Sequence, residues 1–383
     1  MPKFPNSWTG TGISPGGEAP ENRPALSGMT RGELETALAA LPGSPPSYRA
    51  AQIISWIARG ALSFDDMTNL PRSLRSALAE RFTLRGSAAA ARQEDRDGTV
   101  KLGIRLRSGA VVETVLLAAA EDTAAGAEET EKRRYTACLS TQAGCPVGCV
   151  FCKTGSLGFL RNLDASEIVD QFLYLSDLIR PSGGRISRVV VMGMGEPLLN
   201  LAALRGALEI LRDGEGAALS KRGITVSTAG IRRGILDMAE NGPEAELALS
   251  LTTAREDLRL RLMPGTAGNS LGEVKKALKI YREKQGRQIT LETVLLGEIN
   301  TTAEDARALA GFARGLPALV NIIPWNPVEG LSFEGKPLRK PAAEETAAFK
   351  KMLTEAGLTV TQRYRRGRGV SGACGQLGSA LPL

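Results

Sequence analysis

Residues 137–155, ACLSTQAGCPVGCVFCKTG, carry four of the five cysteines of a 383-residue chain that has no histidine, and the fifth, Cys374, stands nine residues from the end. Within the stretch, Cys145, Cys149 and Cys152 follow a C-x3-C-x2-C spacing. Three thiolates on one tight loop suit a metal centre, and without histidine the mixed Cys/His zinc sites drop out. Read from the residues alone, three arrangements stay open. One is a cubane iron–sulfur cluster, in which three thiolates leave the fourth iron free to bind a substrate. Another is a structural zinc with Cys138 as fourth ligand, and the last is a set of redox-active or buried thiols. Gly144, Pro146 and Gly148 fit a loop that wraps a compact cofactor. Phe151 serves equally as a shield for Cys152 or as ordinary core.

Downstream of this loop the chain alternates. Strands are expected at 188–192, 224–228, 247–251, 289–296, 320–325 and 358–363. Amphipathic helical stretches separate them, such as DASEIVDQFLYLSDLIR, LGEVKKALKIYREKQG and AEETAAFKKMLTEAG. Repeated strand–helix units predict an α/β fold with a parallel sheet and outer helices, open or partly closed into a barrel, whose chemistry collects at the C-terminal strand ends. Upstream, residues 1–25 read as a loose tail rich in Pro, Gly, Asn and Ser, and 26–92 as a small domain of three short helices. Residues 93–134 read as short strands (KLGIRLRSG, VVETVLL) followed by a flexible insertion, and 135–383 as the barrel.

Composition sets outer limits. With 43% apolar and 23% charged residues the chain suits a globular protein. No run of about 18 apolar residues and no secretory apolar segment is present, so a cytoplasmic location is expected. The formal charge is +7, and basic runs at 131–134 and 363–368 would draw a phosphate backbone, or simply form solvated faces. Five cysteines in such a chain read as ligands or reactants rather than as a disulfide framework.

The cysteine loop, VVVMGMGEPLLN (189–200), ITVSTAGI, LALSL, LRLRLMP, VNIIPWNPV and the terminal ACGQL together closely resemble the RlmN family of radical S-adenosylmethionine enzymes, the dual-specificity 23S rRNA and tRNA adenine-C2 methyltransferases. The resemblance spans roughly residues 30–380. It implies a partial (βα)6 TIM-like radical SAM barrel with a small N-terminal helical domain that helps guide RNA, working as a monomer.

It also implies a division of labour. Cys145, Cys149 and Cys152 would hold a [4Fe-4S] cluster whose open iron chelates S-adenosyl-L-methionine. Gly195, Glu196, Ser227, Ser250, Leu251, Thr252 and Asn326 would contact that cofactor, with Thr252 standing where many relatives have histidine. Cys374 would take a methyl group from one cofactor molecule, a second molecule would generate the radical, and the resulting carbon radical would add to adenine C2. Glu113 would accept the C2 proton. Cys138 would release the product by attacking the sulfur of Cys374, closing a transient disulfide. The expected partners are naked or precursor 23S rRNA, tRNA and an electron donor such as a flavodoxin. Two rival readings are methylation at C8 of the same adenosine and a non-catalytic, zinc-containing RNA-binding module. Arg368 and Gly369 replace an acidic pair common in relatives, and the insertion before Cys138 is longer than the family pattern.

Overall fold

The protein is described from a computed structural model that covers residues 23–118, 134–362, 367 and 369–378. The expectations for the N-terminal tail up to residue 22, for the insertion at 119–133 and for the basic residues 363–366 and Arg368 lie outside the described residues.

Three helices come first. α1 (Arg31–Ala39) starts at a reciprocal capping box between Thr30 and Glu33, α2 (Arg49–Ala58) buries Ala50, Ile53, Ile54 and Ile57, and α3 (Arg72–Arg81) buries Leu74 and Leu78. The chain then turns to strand earlier than its sequence indicates. β1 (Ala88–Glu94) occupies an alanine run with strong helical preference, yet it pairs antiparallel with β2 (Val100–Arg105), and that tertiary ladder overrides the local propensity. β3 (Val111–Ala118) and β4 (Arg134–Cys138) continue the antiparallel run.

After β4 the cysteine loop is an excursion built from β5 (Gln142–Gly144), α4 (Lys153–Ser156) and β6 (Phe159–Asn162), with β5 and β6 paired. The alternation follows: α5 (Ala165–Ile179), β7 (Arg185–Val191), α6 (Leu201–Arg212), β8 (Ile224–Thr228), α7 (Arg232–Asn241), β9 (Glu246–Ser250), α8 (Glu256–Leu262), α9 (Leu271–Gln285), β10 (Ile289–Leu295), α10 (Ala303–Ala313) and β11 (Ala318–Pro324). A short hairpin, β12 (Ser332–Phe333) and β13 (Lys336–Pro337), precedes α11 (Ala343–Glu355) and β14 (Val360–Gln362).

One sheet holds ten strands in the order β1-β2-β3-β4-β7-β8-β9-β10-β11-β14. From β4 to β14 all neighbours run parallel, each strand returning through a helix, which gives the expected partial barrel of six βα units. The first three strands extend the same sheet as an antiparallel wing.

The helices before β1 dock on α5 and α6 through polar clasps. Arg31 grips Asp213 at 2.6 and 2.9 Å, Arg85 meets Asp177 at 2.7 Å, and buried Asp170 accepts from Gly86 N at 2.7 Å and Ser87 Oγ at 2.9 Å. One apolar core runs under the helices and through the sheet, and a second, smaller cluster sits around the cysteine loop. Among the described residues no helix is long and apolar enough to cross a membrane.

Candidate active site at the strand ends

The second cluster consists of Val147, Phe151, Ala229, Leu258, Leu262, Met263, Leu296 and Trp325, with Cys145, Cys149 and Cys152 packed half-buried against it. The loop is pinned by its backbone: Cys145 N donates to Gly158 O (2.8 Å), Val150 N to Leu262 O (3.0 Å) and Cys152 N to Cys149 O (3.1 Å). Gly155 lies so close beneath it that a Cβ would stand 2.8 Å from the backbone N and O of Cys149. Phe151 is both core and fixture, since its carbonyl accepts from Trp325 Nε1 at 2.9 Å.

Burial pushes the Cys145 thiol up to about 12 and raises Cys149 and Cys152 as well; repulsion from neighbouring thiols and from Glu196 adds to the effect on Cys145 and Cys149, and repulsion from Cys374 to that on Cys152. Loading a metal centre there therefore displaces protons. Among the described residues no three Cys, Asp or Glu side chains are grouped closely enough to hold a single metal ion. A cubane is larger than one ion and sets its thiolates further apart, and an all-sulfur donor set walled by apolar side chains fits it.

The cofactor-contact candidates gather around this loop. Gly195 takes a positive φ of 105°, and a Cβ would meet Gln142 Cβ at 2.6 Å, so only glycine fits. Glu196 is buried, with Oε1 accepting from Leu198 N (3.0 Å) and Oε2 from Ala229 N (2.6 Å); burial raises its carboxyl above the usual range despite these donors. Ser227 and Ser250, at the ends of neighbouring β8 and β9, place their hydroxyls 3.0 Å apart. Leu251 and Thr252 follow, their backbone N–H groups both donating to Glu292 O. Thr252 adopts φ 60°, a strained conformation for a β-branched residue, and its buried hydroxyl makes no hydrogen bond. Asn326 spends its side-chain amide on the carbonyl of Cys374 at 3.1 Å.

That last bond belongs to a set that docks the Cys374 loop on the strand ends. Lys153 N donates to Gly375 O (2.8 Å), Thr154 Oγ1 to Leu377 O (2.8 Å), Gln376 Nε2 to Pro327 O (3.0 Å), and Gly378 N to Glu113 Oε2 (2.5 Å). Cys374 itself is exposed and close enough to Cys152 to add to that thiol's upward push. Cys138, half-buried at the end of β4, is paired in register with Val115, and Gly372 packs on the same Val115: a Cβ there would lie 3.7 Å from Val115 Cγ1. No disulfide joins the described cysteines, so the bond between Cys138 and Cys374 implied by resemblance is not formed here; the bonds around Cys374 hold its loop toward α4.

Several residues in this site carry no signal of their own in the sequence, Glu113 being named only through the family resemblance. Glu113, in a VVETV strand, reads as solvent-facing but is 1% exposed and faces Lys101, 3% exposed, with Nζ 2.9 Å from Oε1 at an angle short of a hydrogen bond. Arg259, 2% exposed, donates to the carbonyls of Ser250, Leu251 and Ala229, knitting the ends of β8 and β9; burial pushes its guanidinium down to about 10. Ser140 accepts from Met194 N (2.7 Å) and donates to Glu113 O (2.6 Å), tying three strand exits together. An arginine in LRLRLMP and a serine in CLST look like surface residues until the helix and strand ends are placed around them.

A parallel partial barrel with a three-cysteine loop at its strand ends defines a radical SAM protein, and the profile of the Radical SAM superfamily matches residues 139–310. The profile "Ribosomal RNA large subunit methyltransferase N-terminal domain" matches residues 25–84. A probable dual-specificity RNA methyltransferase RlmN of Treponema denticola is 47% identical over 355 residues, covering 93% of this chain and 95% of the relative. The corresponding protein of Treponema pallidum (strain Nichols) is 43% identical over 354 residues, 92% and 97% of the two chains. Among solved structures, a radical SAM methyltransferase from Sphaerobacter thermophilus superposes with a TM-score of 0.83 at 37% identity, covering 93% of this chain and 99% of that one. The chain belongs to the RlmN family and is a radical SAM RNA methyltransferase, with a [4Fe-4S] cluster and S-adenosylmethionine as the family's cofactors. The zinc-module reading falls with that membership.

Proposed function

We propose that the chain methylates C2 of one adenosine in 23S rRNA and of the adenosine 3′ to the anticodon in certain tRNAs, using Cys374 as methyl carrier and two molecules of S-adenosylmethionine per turnover. The observation that carries this reading is the docking of the Cys374 loop onto both the cysteine loop, at Lys153 and Thr154, and the Glu113 carboxylate. The dual-specificity names of the relatives support the two RNA classes.

When bound, the cluster and S-adenosylmethionine supply the methyl group, a hydrogen-atom acceptor and an acceptor for the single electron released as the base regains aromaticity. The Cys374 thiolate takes the methyl by displacement, and its S–CH3 group gives up one hydrogen atom before joining adenine C2. Glu113 takes the C2 proton. The Cys138 thiolate then attacks the sulfur of Cys374; the S–C bond breaks toward carbon, which picks up a proton to become the methyl, and a disulfide closes. A reductant reopens it for the next cycle. Cys145, Cys149 and Cys152 hold the cluster, while Gly195, Glu196, Ser227, Ser250, Leu251, Thr252 and Asn326 shape the cofactor pocket. A target adenosine must leave its stack to reach these residues, which favours naked or precursor RNA. The protein would act as a cytoplasmic monomer fed by a flavodoxin-type donor.

The test is anaerobic turnover of the reconstituted enzyme with an rRNA fragment and a tRNA, read by nucleoside mass spectrometry against C2- and C8-methyladenosine. C2 product on both RNAs is expected. C8 product overturns the regiochemistry, and no product from protein with a full cluster overturns the whole reading.

A further inference from the structure

We propose that Lys101 is the positioning residue for Glu113, and that the carboxylate works from a two-point cradle made by the Lys101 ammonium and the Gly378 amide. The inference rests on the reading of Cys374 as methyl carrier.

The register of β2 and β3 places the two side chains together. Lys101 stands opposite Val115, so Glu113, two residues along β3, is its diagonal neighbour on the same face. Both are almost wholly buried, and Nζ lies 2.9 Å from Oε1. Desolvating two charges is costly and their attraction often fails to return that cost, so such a pair is a poor device for stability alone. Here the pair lies directly under the loop that carries Cys374, bonded to it through Gly378, which gives it a place in the site.

The other carboxylate oxygen, Oε2, accepts from Gly378 N at 2.5 Å, four residues after Cys374. A carboxylate offers about four lone-pair positions, so two contacts fix the plane of Glu113 and leave positions free for a proton. When C2–H breaks, its electron pair stays in the ring and the proton goes to Glu113. The newly neutral acid then loses its ion-pair attraction to Lys101, and it holds the Gly378 amide less strongly, since charge-assisted hydrogen bonds are about twice as strong as neutral ones. Proton uptake thus loosens the Cys374 loop at the step where Cys138 must reach its sulfur.

The experiment uses the anaerobic holoenzyme with an rRNA fragment and follows three species by mass: S-methylated Cys374, the covalent protein–RNA adduct and free methyladenosine. Lys101→Met should leave Cys374 methylation within about twofold of wild type and slow product release about 100-fold, the low end of what a general base contributes, so that adduct accumulates. Lys101→Arg, which keeps the charge, should recover part of that loss. Release at the wild-type rate in Lys101→Met overturns the proposal. So does a parallel loss of Cys374 methylation and release in both variants, which marks a packing role. If Lys101→Met does not fold, Lys101→Gln is read by the same ratio of release to methylation. Failure of the underlying reading has a different signature, the absence of methylated Cys374 in the wild type.

Discussion

The loop that carries Cys145, Cys149 and Cys152 and the loop that carries Cys374 meet at one site but are held in opposite ways. The first is walled by an apolar cluster and locked by close backbone packing at Gly155. The second exposes its cysteine and is held mainly by individual hydrogen bonds from Lys153, Thr154, Asn326, Gln376 and Gly378, with Leu377 as its anchor in the main apolar core. Apolar packing is cooperative and costly to undo, whereas single hydrogen bonds contribute about 1 kcal/mol each and exchange readily with water. A cofactor needs the first kind of support. A thiol that must meet a methyl donor, a base and a second thiol in turn needs the second.

The contrast is broken most severely at the cysteines. Replacing any one of Cys145, Cys149 or Cys152 by alanine should abolish cluster retention and cofactor cleavage together, measured as bound iron and sulfide and as cleavage products. Cys374→Ala should keep both and lose only methylated RNA. A Cys374→Ala protein without bound iron would show that the two loops are one structural unit. A smaller effect is expected for Gly155→Ala, whose Cβ must displace the backbone of Cys149 at a cost of about 2 kcal/mol. Iron content and thermal stability should both fall, while the exposure of Cys374 to alkylation stays at the wild-type rate. The mildest is Asn326→Ala, which removes one tether of the Cys374 loop. Loss of about 1 kcal/mol corresponds to a roughly fivefold slower methylation of Cys374 with iron content unchanged. A drop beyond about 100-fold in cofactor affinity would instead make Asn326 chiefly a cofactor contact, since that exceeds what one neutral hydrogen bond supplies.

The parts of the molecule that rest on apolar runs were legible in the sequence. Strands β7 to β11 and the helices between them announce themselves by buried Val, Ile and Leu at the right periods, and the cysteine triplet announces its own loop. β1 did not, because an alanine run has no side chains that prefer a pleated surface and its strand state comes only from β2. Lys101 did not, and Glu113 only through the family resemblance, because a lone charge in an alternating strand is normally turned to water; only the register and the docked Cys374 loop bury them. Arg259 was hidden for a related reason: its partners are carbonyls at the ends of other strands, and no side-chain pattern records a backbone acceptor.

Among the described residues β1 and β14 are the edge strands of the ten-stranded sheet, and an edge strand is a template on which another copy's strand can grow. β1 departs from regular register between Ala89 and Ala91 and ends in Arg92, Gln93 and Glu94, while β14 is only three residues long. A bulge, charged residues and brevity are each a known brake on edge-to-edge pairing. Both edge strands thus carry features that resist self-association into aggregates.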